Sequence, residues 1–236
     1  MPHDARQTAS RRDPPGLHDA PELRERIAVF EDRRHAGAVL ADLMTEYRQA
    51  EAIVLAVPAG GVPVALALAA RLDLPMDLAV VSKVTLPWNT EAGCGAVAFD
   101  GSVKLNDPVL RAVGLGGEPL QQQLDATREK VRRREQNLRG GRGPLPVSDA
   151  EVVLVDDGLA SGFTMHLAVE AVRNAGARRV TVAVPTAPAT TLEDLLPKVD
   201  DLYCANIRSA SPFAVAAAYR NWRDLSESEV AGMLDA

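Results

Sequence analysis

The sequence predicts an α/β fold: a mainly parallel sheet flanked by helices, with one β-hairpin projecting from it. Two observations carry that expectation. Wholly apolar runs at 52–57 and 152–155 read as strands buried on both faces, as in parallel sheets covered by helices. They alternate with stretches whose apolar residues recur at helical spacing, such as Met165, Ala168, Val169 and Val172, as crossover-linked parallel strands require.

Residues 1–22 contain Pro2, Pro14, Pro15 and Pro21 without periodicity and read as a flexible N-terminal arm, leaving 23–236 as a single domain. Val29, Ala36, Val39, Leu40, Leu43 and Tyr47 give an amphipathic helix over 29–47. The strand at 52–57 leads into a helix over 62–72, and a second buried strand follows at 78–81. Segments 95–99 and 103–105 flank Asp100-Gly101, a strong short-range hairpin signal. Leu120, Leu124, Val131 and Leu138 form a narrow apolar stripe on a charged helix over 119–138, which a glycine-rich segment at 140–144 ends. Strand 151–155, helix 164–174, strand 180–184, helix 190–196 and strand 202–207 complete the alternation. Ser226, with Glu229 three residues on, is a capping box that starts a short terminal helix.

Composition narrows the function classes. A net charge of −6 argues against a general nucleic-acid binder, and 4% aromatic residues argue against a base-stacking platform. Cys94 and Cys204 are too few for a disulfide framework and suit a reduced, cytoplasmic chain. The uncharged stretch 52–70 is long enough to cross a bilayer, but Pro58, Gly60, Gly61 and Pro63 break it into strand, turn and helix. The start of the chain is polar and lacks the apolar core of a signal peptide. Neither a nucleic acid nor a membrane is expected as partner.

The segment 151–164 carries the chemistry. Four apolar residues bring Asp156 and Asp157 to the carboxyl end of a buried strand, where open α/β sheets bind ligands. Gly158, Ser161, Gly162 and Thr164 follow, and a helix starts at once; small residues, hydroxyls and a helix N-terminus make a phosphate cradle. No lysine follows Gly162, which excludes a Walker A loop, and Gly114-Leu115-Gly116 lacks the third glycine of a dinucleotide fingerprint. A hairpin turn at Asp157-Gly158 would lead into an alternating strand, whereas the spacing beyond it is helical. Two carboxylates repel a lone phosphate, but they suit the hydroxyls of a polyol joined to one. Ribose 5-phosphate meets that description.

Four apolar residues, two acids, four variable positions and then Ser161, Gly162, Phe163, Thr164 resemble the phosphoribosyl pyrophosphate-binding motif of the type I phosphoribosyltransferases, with Ser161 where Thr is usual. The similarity covers about 30–234 and is closest to a branch sharing the Pro-Ala-Gly-Gly-Val-Pro-Val-Ala segment at 58–65 and the Val-Asp-Asp-Gly-Leu-Ala-Ser-Gly loop at 155–162. The resemblance implies transfer of 5-phosphoribosyl to a nitrogen acceptor such as a nucleobase, with pyrophosphate released; a non-catalytic sensor of phosphoribosyl pyrophosphate or nucleotide is the alternative. By the same resemblance Asp156, Asp157 and Lys83 are the catalytic residues. The acids hold ribose hydroxyls, and Lys83 neutralises pyrophosphate from the start of a mobile loop over 84–91 that carries Trp88 and Glu91. Gly158, Leu159, Ala160, Ser161, Gly162, Phe163 and Thr164 would cradle the 5-phosphate. Ala59, Gly60 and Gly61 would take the pyrophosphate, with Ala59 where many relatives have a cation. Ile207 and Arg208 fall on the nucleobase side, beside a small C-terminal hood. The implied cofactor is Mg²⁺, held mainly by substrate, with Asp156 and Asp157 acting through water and no direct protein ligand; the implied assembly is a homodimer. Ala160 stands where 6-oxopurine enzymes carry a third Asp. The basic run Arg128, Lys130, Arg132, Arg133, Arg134 reads first as a solvated helix face, with phosphate steering or an interface as alternatives.

Overall fold

The structure, a computed structural model, describes residues 16–235 and, over 90–92, the backbone alone. Six strands form one sheet: β1 (Gly16–Asp19), β9 (Asp201–Arg208), β8 (Arg179–Pro188), β7 (Glu151–Val155), β2 (Ala52–Ala56) and β3 (Met76–Leu78), in that spatial order and parallel at every pairing. Three more, β4 (Val81–Leu86), β5 (Asn89–Ala98) and β6 (Val103–Leu105), form a small antiparallel sheet. The continuous apolar runs have a simple cause. Val153 and Val155 face a core shared with α1 (Arg33–Leu43) and α2 (Gly61–Leu72), while Val152 and Leu154 face one shared with α5 (Phe163–Asn174) and α6 (Ala189–Leu195). Neither face of the sheet is wet, so alternation never shows.

α4 (Gly117–Arg139) lays Leu124, Val131 and Leu138 into the first core, together with Val230 of α7 (Glu227–Leu234). Its charges divide. Arg128–Asp125 and Arg132–Glu129 are solvent-side pairs, whereas Arg139 is bound to Asp77, Glu135 and the Leu78 carbonyl, and Arg134 lies beside Ser82 and Glu227. Arg139, with the Leu145 N–H on Asp77 Oδ2 at 2.7 Å, covers the exposed edge of β3. The capping box at Ser226 and Glu229 forms as expected and holds the Glu229 carboxyl at about 2.

Several boundaries move. Residues 1–15 of the expected arm lie outside the described residues. Residues 16–22 do not belong to an arm: Gly16–Asp19 pairs with β9, and His18 stacks on Tyr203 with ring centroids 4.3 Å apart. A four-residue edge strand with Leu17 turned outward carries no apolar signature. α1 starts only at Arg33, where Asp32 caps the His35 N–H at 2.9 Å. The strand expected at 78–81 is two strands, β3 ending at Leu78 and β4 starting at Val81, with buried Ala79 and Val80 crossing between sheets. The expected loop at 84–91 is the β4–β5 hairpin. A short helix, α3 (Asp107–Val113), was not signalled by periodicity; Asn106 caps it through the Val109 N–H.

Beside the carboxyl ends of β7 and β9, two distant stretches of chain form the hood. The Ala28 and Phe30 N–H groups donate to the Ala217 and Ala218 carbonyls at 2.8 and 2.9 Å. The Arg220 and Asn221 N–H groups return bonds to the Phe30 and Glu31 carbonyls at 2.8 and 2.9 Å. Among the described residues no helix is long and apolar enough to cross a membrane.

Candidate active site

β2 and β7 are neighbours in register, Ala56 opposite Val155, so the turns that leave them meet. One is Pro58-Ala59-Gly60-Gly61; the other begins with Asp156 and Asp157. A Cβ on Gly60 would overlap the Asp157 carboxylate, and one on Gly61 would stand 2.6 Å from the Val155 carbonyl oxygen. Only glycine permits that approach, and it brings two of the four predicted groups of site residues into contact.

Beyond the acids the chain is pinned from within. The Leu159 N–H donates to the Thr186 carbonyl at 3.0 Å, and the Thr191 hydroxyl donates to the Ala160 carbonyl at 2.7 Å. Gly162 adopts φ 69°, a left-handed conformation, and precedes α5 with no side chain to cap it; the Phe163 N–H reaches Ser161 Oγ at 3.4 Å. A helix N-terminus whose N-cap offers no side chain presents N–H donors and a positive dipole end to an anion. Leu159 does not fit the predicted cradle. Its side chain is 2% exposed within the core and its N–H is already bonded to the Thr186 carbonyl.

The two carboxylates differ sharply. Asp157 Oδ2 accepts from Arg33 Nε at 2.8 Å, and its carbonyl accepts from the Tyr219 hydroxyl at 2.6 Å. Asp156 Oδ1 accepts the Asp157 N–H at 2.8 Å, its carboxyl lies against that of Asp157, and no cation pairs with it among the described residues. Burial, then the negative charge of Asp157, holds the Asp156 carboxyl well above the usual carboxylate range, against a smaller opposing effect from Arg33. Arg33 also donates Nη1 to the Arg223 carbonyl at 2.9 Å and lies 3.8 Å from the Trp222 ring centroid. Arg33 escaped the sequence reading. Nothing local links Arg33 to a residue 124 positions away.

Other predicted site residues land elsewhere. Lys83 is interior to β4, opposite Ala96 and lying along Gly93, so it belongs to the small sheet and does not end a parallel strand. The crossing at Ala79-Val80 is the reason. Ile207 and Arg208 do end β9, but they tie down the hood: the Ile207 carbonyl accepts the Glu25 N–H at 3.0 Å, and Arg208 Nη1 donates to the Arg26 carbonyl at 3.2 Å. Glu91's side chain lies outside the described residues.

No group of three or more His, Cys, Asp or Glu side chains able to hold a metal occurs among the described residues. Two adjacent carboxylates, one without a cationic partner, fit a divalent ion whose other ligands are phosphate oxygens and water.

The sequence profile of the phosphoribosyl transferase domain matches residues 30–218, which include both turns, the cradle and all of the main sheet except β1. The chain belongs to that family. The first and last residues of this phosphoribosyl transferase domain, Phe30 and Ala218, share the hood hydrogen bond described above. A Mycobacterium tuberculosis protein, provisionally named a phosphoribosyl transferase, is 35% identical over 216 residues, covering 89% of this chain and 47% of its own. The chain thus spans about half the length of the curated relatives it matches. The crystal structure of TT1426 from Thermus thermophilus superimposes with a TM-score of 0.70 at 34% identity, over 87% of this chain and 97% of that one. The phosphoribosyl transferase fold, a parallel sheet flanked by helices, is therefore common to both.

Proposed function

We propose that the chain transfers 5-phosphoribosyl from phosphoribosyl pyrophosphate to a nitrogen acceptor, a nucleobase first among the candidates, and releases pyrophosphate. The contact between the Asp156-Asp157 turn and the Gly60-Gly61 turn supports this most directly, because the two turns to which this reading assigns ribose and pyrophosphate lie side by side. In this reading the N–H groups and hydroxyls of Ser161, Gly162 and Thr164 anchor the 5-phosphate. Asp156 lies where the ribose ring becomes positive as the C1′–O bond breaks, and a carboxylate aimed there stabilises the transition state more than the ground state. The Gly60-Gly61 backbone and the N-terminus of α2 face the departing pyrophosphate. Mg²⁺, when bound, would neutralise pyrophosphate oxygens, with Asp156 holding it through water.

The regulatory alternative draws on Ala59, which gives the pyrophosphate turn no cation. One assay separates the two. Protein, Mg²⁺ and phosphoribosyl pyrophosphate are mixed with a panel of nucleobases, and pyrophosphate is measured. Release that depends on one acceptor is expected. Thermal stabilisation by phosphoribosyl pyrophosphate without release from any acceptor would favour the sensor, and absence of both would refute the site.

A further inference from the structure

We infer that Arg33 is a positioning residue that hangs the hood on Asp157 and, by occupying that carboxylate, leaves Asp156 as the acid presented to the ligand. The ligand half of this inference rests on the function proposed above; the Arg33–Asp157 half does not.

Arg33 has three engagements at once. Its Nε donates to Asp157 Oδ2 at 2.8 Å, its Nη1 donates to the Arg223 carbonyl at 2.9 Å, and its guanidinium covers the Trp222 ring at 3.8 Å. A planar fork with several fixed donors can satisfy all three, whereas an ammonium cannot hold two acceptors and a ring face in the same geometry. The side chain is 9% exposed and that of Asp157 14%, so the pair is largely withdrawn from water. Such a pair is seldom the most stable choice, because an apolar pair of similar volume avoids the desolvation penalty; fixing one arrangement is its best-supported use. Here the arrangement fixed is the hood. Residues 28–31 and 217–221 are laced together by backbone bonds, and Arg33 and Tyr219 join that lacing to the side chain and the carbonyl of one residue, Asp157. Asp157 Oδ2 therefore faces protein. Asp156, one residue earlier, accepts the Asp157 N–H and has no cation paired with it among the described residues. Two adjacent acids at a strand end thus do different work, one structural toward the hood and one toward the ligand.

The test uses the full chain in a Trp88→Phe parent, which leaves Trp222 as the sole tryptophan. Arg33→Met, Arg33→Lys, Asp157→Asn and Arg33→Met/Asp157→Asn are compared with that parent. Three readouts are taken: chemical denaturation, Trp222 emission, and the dissociation constant of phosphoribosyl pyrophosphate with Mg²⁺. The double variant should lose little more stability than the worse single variant, since either change alone leaves a charge without its partner. Additive losses would overturn the pairing. Arg33→Met should alter Trp222 emission and weaken the ligand at least tenfold, and Arg33→Lys should recover part of the affinity by returning a charge to Asp157 without restoring the Trp222 signal. Wild-type affinity in Arg33→Met, with stability alone reduced, would make Arg33 a packing residue and overturn its positioning role. If Arg33→Met fails to fold by circular dichroism, Arg33→Lys and Asp157→Asn decide the matter by the same measurements. If the parent itself binds no ligand while the stability coupling persists, the proposed function and the ligand half fall, and the hood anchor stands.

Discussion

The two ends of the parallel sheet handle charge in opposite ways. At the amino end Tyr47 shares its hydroxyl between Glu151 and Thr181, Tyr203 donates to Glu46, and Arg179 bridges Glu151 and Asp201. All of these but Thr181 line a cavity of about 410 Å³ with His18 and Arg178, and each named carboxylate has a donor. At the carboxyl end no cation pairs with Asp156 among the described residues, its pKa is raised, and a helix begins at a glycine that offers no side-chain cap. A satisfied network holds a fold together, whereas groups left wanting partners at a strand end are where a ligand supplies them.

The sharpest way to break that contrast is Asp156→Asn. It keeps the shape and the bond from the Asp157 N–H but removes the carboxylate that the proposed function sets against the ribose, so on that proposal turnover should fall by about 10²–10³. The same change should raise the melting temperature of the free protein near neutral pH. A carboxyl whose pKa is higher in the folded state than in the unfolded one contributes stability in acid that is lost as pH rises through the folded value. The Asn variant should therefore lead the wild type above Asp156's raised pKa, and the gap should close as pH falls toward the ordinary aspartate range. Parallel melting curves at every pH would contradict the electrostatic account. Asn at Asp157 should do the reverse and lower stability, because it strips Arg33 of its partner.

Gly162→Val sharpens the comparison from the side of the cradle. A Cβ there would stand 2.8 Å from Thr191 Cγ2 in a left-handed backbone, so the loop has to move. Phosphoribosyl pyrophosphate at a hundredfold excess over its dissociation constant should stabilise the wild type by about 2.7 kcal/mol, and the variant by none of it. Differential scanning with and without ligand reads this directly. Tyr47→Phe, at the other pole, should give the smallest effect. It removes hydrogen bonds to Glu151 and Thr181 for about 1 kcal/mol, read by denaturant titration, and leaves ligand stabilisation intact. Loss of ligand binding in that variant would mean that the two poles are coupled.

The core of the fold was readable because periodicity reports burial. The runs at 52–56 and 151–155 are apolar on both faces, and helices Gly61–Leu72 and Phe163–Asn174 show their stripes. The Asp156-to-Thr164 segment was readable because strand, small residues and helix are consecutive there. What stayed hidden depends on pairing between distant residues. Arg33 looks like any helix-start arginine until Asp157 is beside it, and Gly16–Asp19 is a strand only because β9 is available as a partner. Lys83 was misplaced because a continuous apolar run conceals the point at which a chain leaves one sheet for another.

The hood has a consequence for how the chain is made. Its two halves, around Phe30 and around Tyr219, come from opposite ends of the matched domain, and the tie from Arg33 to the Arg223 carbonyl closes later still. A ribosome delivers the half around Phe30 well before the half around Tyr219. A nascent chain halted before Tyr219 therefore holds both acids, both glycine turns and the whole parallel sheet, yet lacks the Arg223 carbonyl that takes Arg33 and the hydroxyl that seals the Asp157 carbonyl. Completion of the hood thereby waits for its second half, so chains cut short of it lack a finished pocket wall.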